Sequence, residues 1–147
     1  MKDIVEKIGM KIYGFTDLWN FQGFVVEEVR NETDGDVHVR LRRDERCVLR
    51  CPRCGGRMGV NRVEENVARD VACIEKRTWV HYPAIQGRCS SCKEYHTLRP
   101  AEIDGSRRAT KRLMVMVHTL CIHMPPTAAA SFCKVSPATA YRWDRFE

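Results

Sequence analysis

Four cysteines in two similar turns, Cys51-Pro-Arg-Cys54-Gly-Gly and Cys89-Ser-Ser-Cys92-Lys, are the residues best equipped for chemistry. A Cys-x-x-Cys turn aims two thiolates at one point, so two such turns complete a tetrahedral four-sulfur site, and zinc is the ion such sites favour. Iron would need a redox role that nothing in the sequence suggests. Gly55 and Gly56 permit the tight backbone turn that wraps the metal. Four thiolates close the coordination sphere and leave no position for a reactive water, so the expected role is structural, with metal binding contributing folding energy directly. Cys47 lies close enough in sequence to compete as a ligand, and His81 or His96 is an alternative to one of the thiolates. Cys73, Cys121 and Cys133 have apolar neighbours and read as small buried hydrophobes.

The second informative stretch is PPTAAASFCKVSPATAYRWDRFE at the C-terminal end. Thr127 is placed to cap a short helix with Ala129, Ala130 and Cys133 facing inward, Lys134-Val135 to make a turn, and Ser136 to cap a second helix opened by Pro137. In that second helix Ala140 and Trp143 face the core, while Ala138, Thr139, Tyr141, Arg142 and Arg145 face outward, the positions from which a recognition helix reads a groove. Arg142 is suited to guanine, and Thr139 or Tyr141 to a phosphate or a thymine methyl. The plainer alternative is a helical hairpin with a solvated basic face. Arg107, Arg108, Lys111 and Arg112 open the preceding helix and are candidates for phosphate contacts, although such a run is more often solvated surface. Cations at a helix N-terminus oppose its dipole, which favours an external anion there.

These residues need elements to hold them. The 147-residue chain, 44% hydrophobic, has room for one modest core or two small ones. FVVEEVR and VHVRLRR flank a turn-rich Asn-Glu-Thr-Asp-Gly-Asp loop and predict a β-hairpin whose second strand alternates Val37, Val39 and Leu41 with His38, Arg40 and Arg42. Ile4, Val5, Ile8 and Ile12 predict a short amphipathic helix before it. RTWVHYPAIQGR predicts a strand leading into the second cysteine pair, at an edge or bulged because of Pro83. Leu113, Met116, Val117, Leu120 and Cys121 recur at helical spacing, with Ser106 and Thr110 as candidate N-caps. The expected class is α+β: a β-rich N-terminal part with a four-cysteine zinc ribbon, followed by an all-helical helix-turn-helix domain. Its expected divisions are residues 1–45, a lead-in helix and hairpin; 46–100, the ribbon; and 101–147, the helix-turn-helix.

With 25 Lys and Arg against 19 Asp and Glu, the net charge of +6 favours a polyanionic partner. No apolar run approaches the about 18 residues of a membrane span, and the N-terminus is too acidic for a signal peptide, so a cytoplasmic protein with reduced cysteines is expected. Asp70 and Asp104 are isolated in sequence and read as turn or cap residues, which argues against an enzyme.

The order of these features resembles the N-terminal part of transposases of the insertion-sequence-L-three type. The matching pieces are CPRCGG, Arg69-Asp70-Val71, RTWVHYPAIQGRCSSC, the SRRATKRLMVMVHTL helix and PPTAAASFCKVSPATAYRW, over about residues 20 to 147. The resemblance implies recognition of double-stranded DNA at terminal inverted repeats, with self-association of the complete enzyme. Two departures stand out. Lys134 occupies the position of the family's turn glycine, which implies a positive φ at a cost of order 1 kcal/mol. The family's three-carboxylate nuclease domain would follow this region, so no catalytic activity and no small-molecule substrate are expected of these residues. A zinc-ribbon transcription regulator or a protein-binding adaptor is the alternative reading.

Overall fold

The computed structural model describes residues 19–73 and 75–145. The amphipathic helix expected around Ile4 to Ile12 lies outside the described residues. β1 (Phe24–Asn31) and β2 (Val37–Arg43) form the expected antiparallel hairpin. Its loop turns at Gly35, with φ 81°, and Asp34 Oδ1 accepts the Asp36 backbone N–H at 2.7 Å. Val37, Val39 and Leu41 are buried while Arg40 and Arg42 are exposed, as the period of two requires.

A longer antiparallel hairpin, β3 (Met58–Cys73) and β4 (Lys76–Cys89), is the spine of the molecule. At about 3.3 Å per residue it spans about 45 Å. On the side away from β3, β4 first pairs in parallel with β2, Thr78–His81 against Val37–Arg40, and then antiparallel with β5 (Tyr95–Leu98) through Ile85–Arg88. The expectation of an edge or bulged strand at Pro83 is corrected, because β4 is central. Pro83 falls between the residues paired to β2 and those paired to β5, so one flank of the proline faces no ladder.

β6 (Ile103–Asp104) and β7 (Ala109–Thr110) pair with each other, and β7 joins β3 in parallel at Arg69. The seven strands form one mixed sheet in the order β1-β2-β4-β3-β7-β6, with β5 on β4. Three short helices follow: α1 (Lys111–His123), α2 (Pro126–Cys133) and α3 (Pro137–Asp144).

The expected architecture, a ribbon followed by an all-helical helix-turn-helix domain, is therefore wrong. Strand at 44% outweighs helix at 24%, and the helices complete a sheet. The cause is visible at three points. Residues 103–110 contribute strands. Val71 of β3 and Ala109 of β7 pack in the helical core with Leu113, Met114, Val117, Ala130, Cys133, Ala140 and Trp143. Arg69 of β3 donates through Nη2 to the Lys134 carbonyl at 2.9 Å, binding the α2–α3 turn to the sheet.

Several local signals act as read from the sequence. Thr110 caps α1, accepting from the Leu113 N–H at 3.3 Å, and Ser136 caps α3, accepting from the Thr139 N–H at 3.1 Å. Lys134 ends α2 in the left-handed region, φ 57° and ψ 36°. Two expected caps are replaced. Thr127 lies inside α2, which starts at Pro126 with Pro125 as N-cap, and Ser106 is bound instead in a turn built on Asp104. A larger core of Trp19, Phe21, Val37, Val39, Leu41, Ala68, Val80, Tyr82 and Ile103 fills one face of the sheet. A small third cluster, Cys51, Met58 and Cys89, lies at the far end of the spine.

Candidate metal centre

The spine carries both cysteine pairs to one end. Met58, first residue of β3, stands opposite Cys89, last residue of β4, so the turn before β3 and the turn after β4 meet. The two turns share one hydrogen-bond plan. In the first, Cys51 N–H donates to the Gly56 carbonyl at 2.8 Å and Gly55 N–H to the Cys51 carbonyl at 2.9 Å; in the second, Cys89 N–H donates to Glu94 at 2.9 Å and Lys93 N–H to Cys89 at 3.1 Å. Gly55 and Lys93 hold the same place in this plan, four residues after the leading cysteine, and both have positive φ, 72° and 62°. The turn geometry demands that conformation, which glycine adopts freely and lysine adopts at a cost.

Closure of the two turns on each other is tight. A Cβ added to Gly56 would lie 2.7 Å from Ser91 Oγ and 3.1 Å from Cys89 Sγ. Arg53 of the first turn is ion-paired with Glu94 after the second, and Ser90 Oγ donates to the Arg57 carbonyl at 2.9 Å.

The sulfurs of Cys51, Cys54, Cys89 and Cys92 all lie within 4.8 Å of one another, and the cluster can hold a metal ion. Cys51 and Cys92 are 3.8 Å apart and Cys54 and Cys89 3.4 Å. A tetrahedron with metal–sulfur bonds of about 2.3 Å has edges of about 3.8 Å, close to these separations. The backbone N–H groups of Ser91 and Cys92 point at Cys89 Sγ, at 3.4 and 3.5 Å. Donation from Cys92 is the main reason the Cys89 thiol is held down at about 6, against the opposing effect of burial. Cys92 accepts a backbone hydrogen bond from Glu94, which lowers its thiol, but burial and the three neighbouring sulfurs outweigh it and push the value up to about 11. Four thiols crowded together cannot all ionise unless a cation compensates them.

The alternative ligands separate from this group. Cys47 is exposed and outside it. His81 stands eight residues back along β4 from Cys89, about 26 Å away, and faces His38 instead. His96 lies on β5 beside the centre, its Nε2 3.8 Å from Glu94 Oε2 and within reach of Cys92, but it is not one of the four-sulfur set. Cys133 is buried as expected, whereas Cys73 and Cys121 are only half-buried.

At the opposite end of the spine, α3 buries Ala140 and Trp143 and exposes Ala138, Tyr141 and Arg142, with Thr139 half-buried; Arg145, its C-cap, is exposed too. The basic cluster divides: Arg107 and Arg108 lie in the turn before β7 and do not open the helix as expected, whereas Lys111 and Arg112 are the first two residues of α1. Arg107 pairs with Asp104 at 2.7 Å, and Arg112 donates through Nε to Asp70 at 2.7 Å, so internal carboxylates supply the anion that the helix start calls for. Arg108 and Lys111 are exposed. Reading Asp70 as a turn or cap residue is corrected: it is a fully buried strand residue that accepts from Thr110 Oγ1 at 2.7 Å as well as from Arg112. Asp104 is the turn residue expected, accepting from the N–H groups of Ser106 and Arg107 at 3.0 Å each. No helix among the described residues is long and apolar enough to cross a membrane. No family model, curated protein or solved structure matches this chain.

Proposed function

We propose that the chain is a zinc-stabilised module that binds duplex DNA, reading sequence with the outward side of α3 and, by its resemblance, favouring terminal inverted repeats. One observation carries the reading: α3 is fixed from behind by Ala140 and Trp143 while Tyr141, Arg142 and Arg145 stay exposed in one short turn and a half. Exposed Arg108 and Lys111 and the net charge of +6 supply phosphate attraction. Zinc is the ion, because four thiolates in tetrahedral spacing are its preferred closed set. With the sphere closed, the ion stiffens the far end of the spine, and the module carries no reaction of its own. Its connection to the transposase family rests on the order of motifs.

Selection of duplexes from a random pool, with zinc counted on the same preparation, tests this. The expected outcome is an enriched motif bound by protein carrying one zinc at the four-cysteine site, with affinity falling as salt rises. A protein-binding adaptor is the second reading, favoured by Val115, Ile122 and Phe132, whose exposures of 61%, 66% and 61% are high for apolar side chains. Absence of salt-dependent DNA binding would select it.

A further inference from the structure

Away from the four sulfurs, the parallel junction of β2 and β4 brings two histidines together. The register sets His38 beside Trp79 and Arg40 beside His81, so His38 and His81 share the sheet face opposite Val39 and Val80 of the core. Their rings are stacked, centroids 5.2 Å apart and planes 29° apart, and His38 Nδ1 lies 2.9 Å from His81 Nε2. Two ring nitrogens at that distance need something between them: one proton, or one cation. Imidazoles bound to one ion at about 2.0–2.1 Å in neighbouring positions have nitrogens about 2.9–3.4 Å apart, which spans the observed value.

The second nitrogen of His38 supports the cation. His38 Nε2 is 3.3 Å from Asp34 Oδ2. A carboxylate on the distal ring nitrogen is the usual outer partner of a metal-bound histidine, fixing its tautomer and raising its basicity. The pair opens onto a cleft whose other walls are Glu28, Arg30, Glu32 and Arg40. Arg30 is held by Glu28 at 2.6 Å and Arg40 by Glu65 at 2.8 Å, so each guanidinium already has a carboxylate partner. A cation between the histidines is therefore favoured by the Glu32 carboxylate in the cleft wall, against the opposing charge of Arg40, which is itself paired with Glu65.

We propose that His38 Nδ1 and His81 Nε2 form a second metal site, for a divalent ion of the zinc class, with Asp34 as the outer partner of His38 and water from the cleft completing the coordination sphere. Two neutral imidazoles and oxygen suit zinc or nickel over magnesium or calcium. The ion would clamp β2 to β4 at the one junction where the two hairpins meet, and it is independent of the four-sulfur centre about 26 Å along the strand.

The full chain, loaded with one equivalent of zinc and freed of excess, is titrated with zinc by calorimetry while the imidazole nitrogens are followed by nitrogen-15 NMR. The site predicts a second equivalent that shifts the ring nitrogens of His38 and His81. His81→Gln should abolish that equivalent and retain the first. Asp34→Asn lies in an exposed turn outside the sheet, and should weaken the second equivalent about tenfold or more even if the strand variant folds poorly. Uptake of a single equivalent, ring nitrogens that do not move, or a second equivalent of unchanged affinity in both variants would overturn the proposal. Loss of the first equivalent alone would bear on the four-sulfur centre and not on this site.

Discussion

The cysteine turns were legible because their information is local: a spacing of two residues between thiols, with Pro and Gly beside them, specifies a knuckle whatever surrounds it. Glycine at position 56 has a more demanding role than the flexibility the sequence suggested, since its missing side chain lets Ser91 and the Cys89 sulfur approach. Gly56→Ala should lower zinc retention against a competing chelator by about tenfold, whereas Gly59→Ala, which meets nothing within 4 Å, should leave it unchanged. Cys51→Ser or Cys89→Ser should release the ion and unfold this end, read as zinc content and loss of the thermal transition. Lys93→Gly relieves a positive φ and should raise stability by about 0.5–1 kcal/mol. Asp104 is held well below the usual carboxylate range, chiefly by the Ser106 hydroxyl and then by the Arg107 backbone and side chain. A carboxyl with a lowered folded value binds fewer protons folded than unfolded. Its stabilisation is complete above the unfolded value of about 3.9 and is lost as pH falls from there through the folded value. Asp104→Asn should therefore flatten the acid limb of the stability curve below about pH 4 and leave its shape above pH 5 unaltered.

At the scale of elements, the first hairpin, the α1 stripe and the Ser136–Pro137 helix start follow from periodicity and capping, which act over a few residues. What escaped is non-local. Asp70 reaches Thr110 and Arg112 across 40 and 42 positions of sequence, and nothing beside it marks it as the anchor of α1. Its carboxylate binds the hydroxyl that caps the helix and the guanidinium of the second helical residue, so sheet and helix share one buried charge. Asp70→Asn should cost about 2 kcal/mol in urea unfolding; the loss falls short of that for a wholly buried pair because Arg112 is partly exposed. Arg107→Ala, removing an exposed pair, should change stability by less than about 1 kcal/mol. The central place of β4 was hidden for a related reason. Proline excludes a strand from a sheet interior only where both flanks are paired, and the partners of β4 change along its length.

On the scale of the whole molecule, three cores are strung along one long hairpin, with the four-cysteine cluster at one end and a helical cap at the other. An all-helical terminal domain was expected because helical periodicity shows only what a helix buries, not what covers it. Here Val71, Ala109 and Arg69 of the sheet do the covering, so the helical core is closed by β7 and by β3, the strand that starts at the first cysteine turn. If α3 reads DNA, Arg142 is the side chain whose loss shows it. Affinities of wild-type protein and Arg142→Ala are measured on the selected duplex and on a scrambled one, at matched salt. Groove reading by Arg142 requires a loss of about 1–3 kcal/mol on the selected duplex and almost none on the scrambled one. Equal losses on both duplexes, or no preference in the wild-type protein, would contradict it.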